Sequence, residues 1–518
     1  MYLTQGLHRS LQQHPDRPAL VREGREHTFN ELVDRVARLA AGLLELGLRR
    51  GDRVGILSAN SAAFVELALA CPWAGLVFAP VNGRWSLEEM AYQIDDAEIA
   101  VLVADEASLS TAWRLRARCP ALSTVVADAR TATSGDTVHY ETLIAGSAPV
   151  PDCRMGRDEL AGILYTGGTT GEPKGVMISS GGIMTSTLGT MASTGIVSPE
   201  RFLHVAPLYH LAALGGVYQQ VAVGSTHFVL PGFTVESLAE AIERFRITGT
   251  TLVPTMIQRL AEHAERTGCD LSSLRHLGYG ASPISEALLR RVVRLLPQLD
   301  LCQRYGMTEL GPVATVLSPA DHRDDEHPER LRSAGRAARH AEVRVVGPDD
   351  DEQAVGEIGE IVVRGENVML GYWKKPEETE RALRGGWMHT GDLGYFDEAG
   401  YLYVVDRLKD MIVTGGENVY SAEVERVLSL HPEISACAVI GVPDLEWGER
   451  VHAVVVTAPG ARPSAQEIRE FCAARIARYK APRTVDFVAE LPRSAVGKIL
   501  KRDLRARCAT GEREEQPS

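Results

Sequence analysis

The sequence has no CxxC pair and no cluster of cysteine with histidine. Its eight cysteines, Cys71, Cys119, Cys153, Cys269, Cys302, Cys437, Cys472 and Cys508, stand singly. That spacing argues against a zinc site or a disulfide framework and predicts buried thiols in a reducing compartment. An excess of basic charge is missing too. The formal net charge is -13, which argues against a general nucleic-acid binder. It leaves an anionic small ligand open, because local charge decides that. No uninterrupted apolar run is long enough for a membrane span. The longest stretches, such as FVELALACPWAGLVFAPV, contain Glu66 and two prolines and read as buried helix and strand. The opening residues, MYLTQGLHRSLQQHPDRPAL, lack an apolar run after their basic residues, so no signal peptide is expected and the cytoplasm is the expected compartment. There is no internal repeat and no low-complexity tract.

What is present is a large folded core. The chain has 518 residues, 45% of them hydrophobic, which predicts more than one domain. Residues 28–57 show the dominant pattern. Thr28 can cap a helix, with Glu31 completing a capping box. Leu32, Val36, Leu39 and Leu43 then recur at helical spacing, and RVGIL reads as a short buried strand. The alternation repeats in SLEEMAYQIDDA with IAVLVAD, and in VESLAEAIERFRI with GTTLVPT. The fold class expected is therefore α/β, with parallel-type sheets and helices in a large N-terminal domain. AEVRVVGPDDDEQAVGEIGEIVVRG reads as strand, acidic turn, strand, so residues 335–406 are expected to form a β-rich part of that domain. The pattern then restarts as a small C-terminal α+β unit, with a boundary near Asp406–Asp410. The polar tail GEREEQPS is expected to fray.

The stretch LYTGGTTGEPKGVMIS, residues 164–179, carries the first chemistry. Its glycines permit positive φ and close backbone approach, so successive N–H groups can face an anion. Thr166, Thr169 and Thr170 add hydroxyl donors and Lys174 adds a charge. LAGILY before it reads as a strand. The spacing excludes the common NTPase phosphate loop, where lysine directly follows the second glycine. Here Glu172 and Pro173 intervene. Alone, the loop reads equally as a solvated connection.

Further motifs follow: GYGASPIS (278–285), YGMTE (305–309), WMHTGDLG (387–394), DRLKDMIVTGGENVYSAEVE (406–425) and PRSAVGKILK (492–501). Together with the loop they resemble the signature of the adenylate-forming superfamily, which includes acyl-CoA synthetases, luciferases and peptide-synthetase adenylation domains. The resemblance runs from roughly residue 10 to residue 505. The family's usual loop has serine where this chain has Gly168.

The resemblance implies an AMP-forming acid–thiol ligase that uses ATP, Mg²⁺ and coenzyme A. A carboxylate is a poor electrophile because its leaving group would be oxide. Attack on the α-phosphate of ATP gives an acyl-adenylate and pyrophosphate, and a thiol then displaces AMP. Both steps call for charge stabilisation and positioning. The resemblance assigns the phosphates to Thr166, Gly167, Gly168, Thr169, Thr170, Gly171 and Lys174. It assigns the adenine pocket to Gly280, Ala281 and Ser282, with Tyr305 near the base and Gly306 and Met307 beside it. Thr308 would touch the α-phosphate. Glu309 would hold Mg²⁺ with Thr169, as magnesium favours a carboxylate plus phosphate oxygens. Asp392 would take the ribose, with Arg407 as its partner, and Lys498 would stabilise the charge of the adenylation step.

It also implies a mobile C-terminal domain. The expected division is 1–406, a hinge at 407–409 centred on Lys409, and 410–518, which carries Lys498. Rotation would present Gly415 and Gly416 to the pantetheine arm. Trp447, Tyr479 and Arg84 are further candidates for the coenzyme or nucleotide. Residues 469–505 hold ten Lys or Arg and four Asp or Glu, an excess that suits a polyanion such as coenzyme A.

In VAPLYHLAALGGVYQ, His210 resembles the gate residue beside the substrate carboxylate. Ala212, Ala213, Gly215 and Gly216 leave room for an apolar pocket, with Gly311, Pro312 and Val313 at its far end and Gly280 on its wall. PLYHLAAL contains no acid, and an unpaired ammonium buried there would be costly. A hydrophobic carboxylic acid is therefore expected: fatty, aryl or alicyclic. Each residue has a plain structural reading too, as ion pair, tight packing or buried histidine. Two alternatives stand beside the CoA ligase. One passes the acyl group to a carrier-protein thiol or another acceptor. The other is a nucleotide sensor without catalysis, against which Glu309, Asp392, Arg407 and Lys498 together argue. The expected partners are the acid, ATP and coenzyme A, with no nucleic acid, no integral membrane segment, and a homodimer if the chain self-associates.

Overall fold

The computed structural model describes residues 1–22, 24–129, 137–166, 173–282, 284–414, 417–444, 446–493 and 499–510. The chain forms two compact units. One comprises Met1–Val343 and Val363–His389, the other Arg344–Val362 and Thr390–Ser518.

Two sheets build the first unit. The nine-stranded sheet runs, edge to edge, through strands at 336–337, 315–317, 300–305, 276–280, 249–252, 201–204, 226–229, 18–22 and 25–28. Its middle strands are parallel and its two ends turn antiparallel. The eight-stranded sheet follows the order 371–372, 174–179, 160–166, 77–78, 53–57, 99–105, 124–128 and 138–139. Its strands from 160–166 to 138–139 are parallel, while 174–179 and 371–372 join antiparallel.

The capping box at Thr28 and Glu31 is present, and Leu32, Val36, Leu39 and Leu43 all lie on the buried side of helix Phe29–Glu45. The apolar stretch at 64–81 folds as helix Ala62–Ala74 and strand Val77–Phe78, as its interruptions predict. This helix touches Pro18–Arg22 of one sheet and Val77–Phe78 of the other, so every residue of it is buried. Its one charge, Glu66, is fully buried. It accepts from Arg35 Nε at 2.6 Å and from the Tyr140 hydroxyl at 3.0 Å, with Arg22 at 3.6 Å. A buried carboxylate is tolerated only with such partners.

In the second unit, a four-stranded sheet has the order 342–346, 359–364, 388–396 and 402–407. Beyond it, strands 417–419, 412–414, 448–457 and 434–444 line up, and 484–487 pairs with 448–457. Helices Ser421–Leu428 and Ala465–Ala473 accompany these strands, as a small α+β unit requires. All eight cysteines are free thiols. No helix among the described residues is long and apolar enough to cross a membrane.

Three core histidines give the first unit an acid limit. His204 and His227 stack with Nε2 and Nδ1 3.0 Å apart, and His322 lies 2.7 Å from the Tyr279 hydroxyl. Burial holds His227 and His322 down to about 4 and pushes His204 well below its ordinary 6.5. A base with a depressed folded value stabilises the fold above its unfolded value and loses that contribution as pH falls. Thermal stability should therefore be level near neutral pH and drop steeply between about pH 6.5 and 4, with a few kcal/mol at stake for each of His227 and His322 and a further loss in the same direction from His204. A melting series across that range checks it, and a flat profile contradicts it.

Candidate active site

Strands Leu160–Thr166 and Lys174–Ser179 pair antiparallel, with Thr166 opposite Lys174. The glycine-rich segment joins these two ends. Gly167, Gly168, Thr169, Thr170 and Gly171 lie outside the described residues. The base of the hairpin is well tied. The Lys174 ammonium forms an ion pair with Glu378 and stands 5.0 Å from the centre of the Tyr372 ring. Tyr372 sits opposite Val176 on the neighbouring short strand. Its hydroxyl donates to Glu309 Oε1 at 3.0 Å, and burial beside Glu309 pushes its own ionisation upward. Glu309 is only 5% exposed. The hairpin base, Tyr372 and Glu309 thus form one continuous contact.

YGMTE leaves strand Asp300–Tyr305 through Gly306 and closes as a single helical turn, Thr308–Leu310. A Cβ on Gly306 would lie 2.1 Å from the Pro312 carbonyl oxygen, so no side chain fits there. Strand His276–Gly280 runs parallel beside it, with Gly280 opposite Arg304. A Cβ on Gly280 would sit 2.3 Å from the Arg304 carbonyl oxygen. Ala281 follows at φ +66, a conformation that costs a non-glycine residue and clusters at functional sites. Gly280, Ala281 and Ser282 are thereby brought beside Tyr305 and Gly306 at the carboxyl ends of adjacent parallel strands. Open α/β sheets bind ligands at such ends.

His210 precedes helix Leu211–Val223. Burial, helped by the Arg84 guanidinium, lowers it to about 4, so it is neutral at physiological pH. Its Nε2 and the Tyr209 hydroxyl are buried without a hydrogen-bond partner among the described residues. Arg84 is exposed and acts electrostatically on both. A Cβ on Gly215 would stand 3.5 Å from the Pro312 ring. Gly215 therefore faces the Gly311–Val313 turn, in which Val313 is buried, whereas a Cβ on Gly216 would lie 3.9 Å from the Phe202 ring and Ala212 is exposed. Asn367 secures that turn by donating to the Leu310 carbonyl at 2.6 Å.

The second unit holds its own constellation. Asp392 is opposite Arg407 in the sheet, and Arg407 Nε lies 3.2 Å from Asp392 Oδ1. Asp392 is 8% exposed, and its N–H donates to Thr390 Oγ1. Lys409 falls to about 8 through burial and the nearby Arg407. Trp447 has the Arg483 guanidinium 4.2 Å above its ring centre. Tyr479 is 40% exposed. Gly415, Gly416 and Lys498 lie outside the described residues. Lys501 is held at Ser421 Oγ (2.6 Å) and Glu425 Oε1 (2.8 Å), and Ser421 Oγ donates to Asp406 Oδ2.

Sequence reasoning missed Tyr372, Glu378 and Asn367. They lie in GENVMLGYWKKPEET, between two recognised motifs. The only available signal was the tyrosine and acids downstream of GYW, and local spacing does not point them at Glu309 or Lys174.

A layered α/β unit with a buried carboxylate at its strand ends, followed by a small unit rich in strands, is the architecture of adenylate-forming enzymes. The chain belongs to that superfamily: the AMP-binding enzyme family matches residues 7–373, and the AMP-binding enzyme C-terminal domain matches 423–498. It is similar to the feruloyl-CoA synthase of an Amycolatopsis species, with 41% identity over 95% of this chain and 96% of that one. It is similar to the indoleacetate–CoA ligase of Aromatoleum aromaticum, with 35% identity over 98% of each. Among solved structures it resembles the o-succinylbenzoate CoA synthetase of Bacillus subtilis in complex with its acyl-adenylate intermediate, with a TM-score of 0.85 and 31% identity over 99% of each chain.

Proposed function

We propose that the protein is an AMP-forming CoA ligase that activates a hydrophobic carboxylic acid, with an aryl acid as the favoured class. The observation that carries this is the buried Glu309, tied to Tyr372 and thereby to the base of the Lys174 hairpin. A carboxylate, a lysine and a glycine-rich backbone are the donor set that a metal-bound triphosphate needs. Glu309, with Thr169, would hold Mg²⁺, which supplies charge neutralisation on the phosphate oxygens.

The other residues would position and stabilise. Gly280, Ala281, Ser282 and Tyr305 would flank adenine, and Gly306 and Met307 would shape the turn that delivers Thr308 to the α-phosphate. Asp392 can accept from both ribose hydroxyls, with Arg407 beside it. Lys498 would offset charge spreading over the attacking carboxylate and the α-phosphate. His210, neutral, would border the acid without adding a charge. Ala213, Gly215, Gly311 and Val313 would leave room for a flat ring, which fits the aryl acids in the relatives' names. Rotation about Lys409 would exchange Lys498 for Gly415 and Gly416, with Trp447, Tyr479 and Arg84 as candidate contacts for the coenzyme. Residues 1–406 and 410–518 are the corresponding functional domains. A cytoplasmic location and a homodimer complete the proposal; fractionation and light scattering test them.

A panel of aryl, fatty and alicyclic acids, with ATP and either coenzyme A or a carrier protein, tests the reading by mass spectrometry of the thioester. Pyrophosphate release that depends on acid, with thioester on coenzyme A, is expected. Transfer only to the carrier protein would replace the acceptor. ATP binding without pyrophosphate exchange on any acid would overturn the function.

Gly168 offers a smaller test. A serine there would add a hydroxyl donor to a loop that holds phosphate through backbone N–H groups. Gly168→Ser should leave the KM for ATP within about tenfold, because a net hydrogen bond is worth roughly 0.5–1.5 kcal/mol. A much larger change would mean that the side chain, not the backbone, does the holding.

A further inference from the structure

Strand Gly448–Thr457 of the second unit presents alternate residues to opposite faces. Val451, Ala453 and Val455 enter one apolar cluster with Ile468 and Cys472. Val454 enters another with Leu491 and Leu504 of helix Lys501–Thr510, and Cys508 packs at its margin. His452 shares the parity of Val454, so it lies on the face covered by this last helix. The parallel neighbour Thr484–Phe487 pairs His452 with Thr484 and Val454 with Asp486. The register therefore delivers Thr484 and Asp486 to the same face as His452.

The result is a small polar centre. His452 is 4% exposed. Its Nδ1 lies 2.7 Å from Thr484 Oγ1, which fixes the ring. Its Nε2 is buried and has no hydrogen-bond partner among the described residues. That nitrogen points toward Asp486 Oδ2, 3.6 Å away, beyond good hydrogen-bonding distance. The Cys508 sulfur completes the group: one ligand atom from each of the three lies within 4.8 Å of the others. A buried imidazole nitrogen without a partner is costly, and an electrophile at the centre of the triangle would satisfy it.

We infer that His452, Asp486 and Cys508 form a binding site for one zinc-class divalent cation. Imidazole, carboxylate and thiolate are the ligand set that zinc takes. Three protein ligands leave the fourth tetrahedral position to water. The orienting hydrogen bond at Nδ1 matches the outer shell of metal-bound histidines. Tetrahedral bonds of about 2.0–2.3 Å put ligand atoms roughly 3.3–3.7 Å apart. The triangle must therefore contract by up to about an ångström, within reach of the Asp486 and Cys508 side-chain torsions. Asp486 is 43% exposed on its side chain, which gives the ion an entry path. Binding displaces the Cys508 thiol proton to solvent, so thiolate and carboxylate together cancel the dication's charge. The neighbouring Arg450, which donates to the Pro443 carbonyl, then faces a neutral centre. Residues 452, 486 and 508 are far apart in sequence, so the cysteine spacing that argued against zinc could not reveal them.

Untagged full-length protein, stripped with a chelator and titrated with Co²⁺, tests this. One equivalent should bind with an intense near-ultraviolet thiolate-to-cobalt charge-transfer band, which an all-oxygen magnesium site cannot produce. Zn²⁺ should displace it stoichiometrically and raise the melting temperature. Cys508→Ser should abolish the band. Asp486→Asn and Thr484→Val should weaken Zn²⁺ binding by about tenfold or more while leaving the metal-free melting temperature close to that of the parent chain. A parent chain that shows no band, or a band that survives Cys508→Ser, overturns the site.

Discussion

Lys498→Ala should slow acyl-adenylate formation by about two to three orders of magnitude, the usual cost of removing one preorganised group that stabilises transition-state charge. In the proposed reading this charge would come from the lysine of PRSAVGKILK, which follows Gly497 in a chain segment rich in basic residues. Adenylation gathers negative charge on the entering carboxylate and on the α-phosphate at once, and an ammonium between them would offset both. The second half-reaction makes no such demand, since AMP leaves from an adenylate already formed. The variant should therefore keep its rate of thioester formation from supplied acyl-adenylate, and its melting temperature should not move. Single-turnover measurement of each half-reaction separates the two. Equal losses in both steps, or an intact first step, would remove Lys498 from its assigned role.

Glu309→Gln should lower kcat/KM for ATP by about a hundredfold, with most of the loss recovered by none of the usual adjustments in magnesium concentration. The amide keeps the shape and can still accept from the Tyr372 hydroxyl, so the fold should survive. What it loses is the charge that, in the proposed reading, would hold a hard cation against the phosphates. Tyr372→Phe provides the contrast. It leaves the carboxylate in place and removes one hydrogen bond to a charged group, worth about 1.5 kcal/mol at the low end, so its loss should be roughly tenfold. Magnesium titrations of pyrophosphate exchange read both variants. If Tyr372→Phe proved as damaging as Glu309→Gln, the tyrosine would be a catalytic contact instead of a support for the carboxylate.

Much of the site was legible because its parts are local. The capping box at Thr28 and Glu31 spans one helical turn, and the small residues of GYGAS and YGMTE are adjacent in sequence. The structure gives those glycines a reason: side chains at Gly280 and Gly306 would strike backbone oxygens at 2.3 and 2.1 Å. The contacts that bind these parts together were not legible. Tyr372 reaches Glu309 from 63 residues away, and Glu378 reaches Lys174 across a gap of the chain more than three times as long. Glu66 looked like a mere interruption of an apolar run. It proved to be the buried acceptor for Arg35 and Tyr140.

The sequence by itself determined the alternating helices and strands, the order of the glycine-rich, GYGAS, YGMTE, TGD and lysine motifs, and the absence of an acid in PLYHLAAL. Those are properties of neighbours within a turn or a strand, where capping, periodicity and steric permission act. Only the tertiary structure decided which side chains support Glu309 and Lys174, that Arg344–Val362 folds with Thr390–Ser518, and that His452, Asp486 and Cys508 converge. The physical reason is register. A strand pairing that shifts by one residue turns every side chain to the other face, so such meetings are set by how strands align, which no local pattern records.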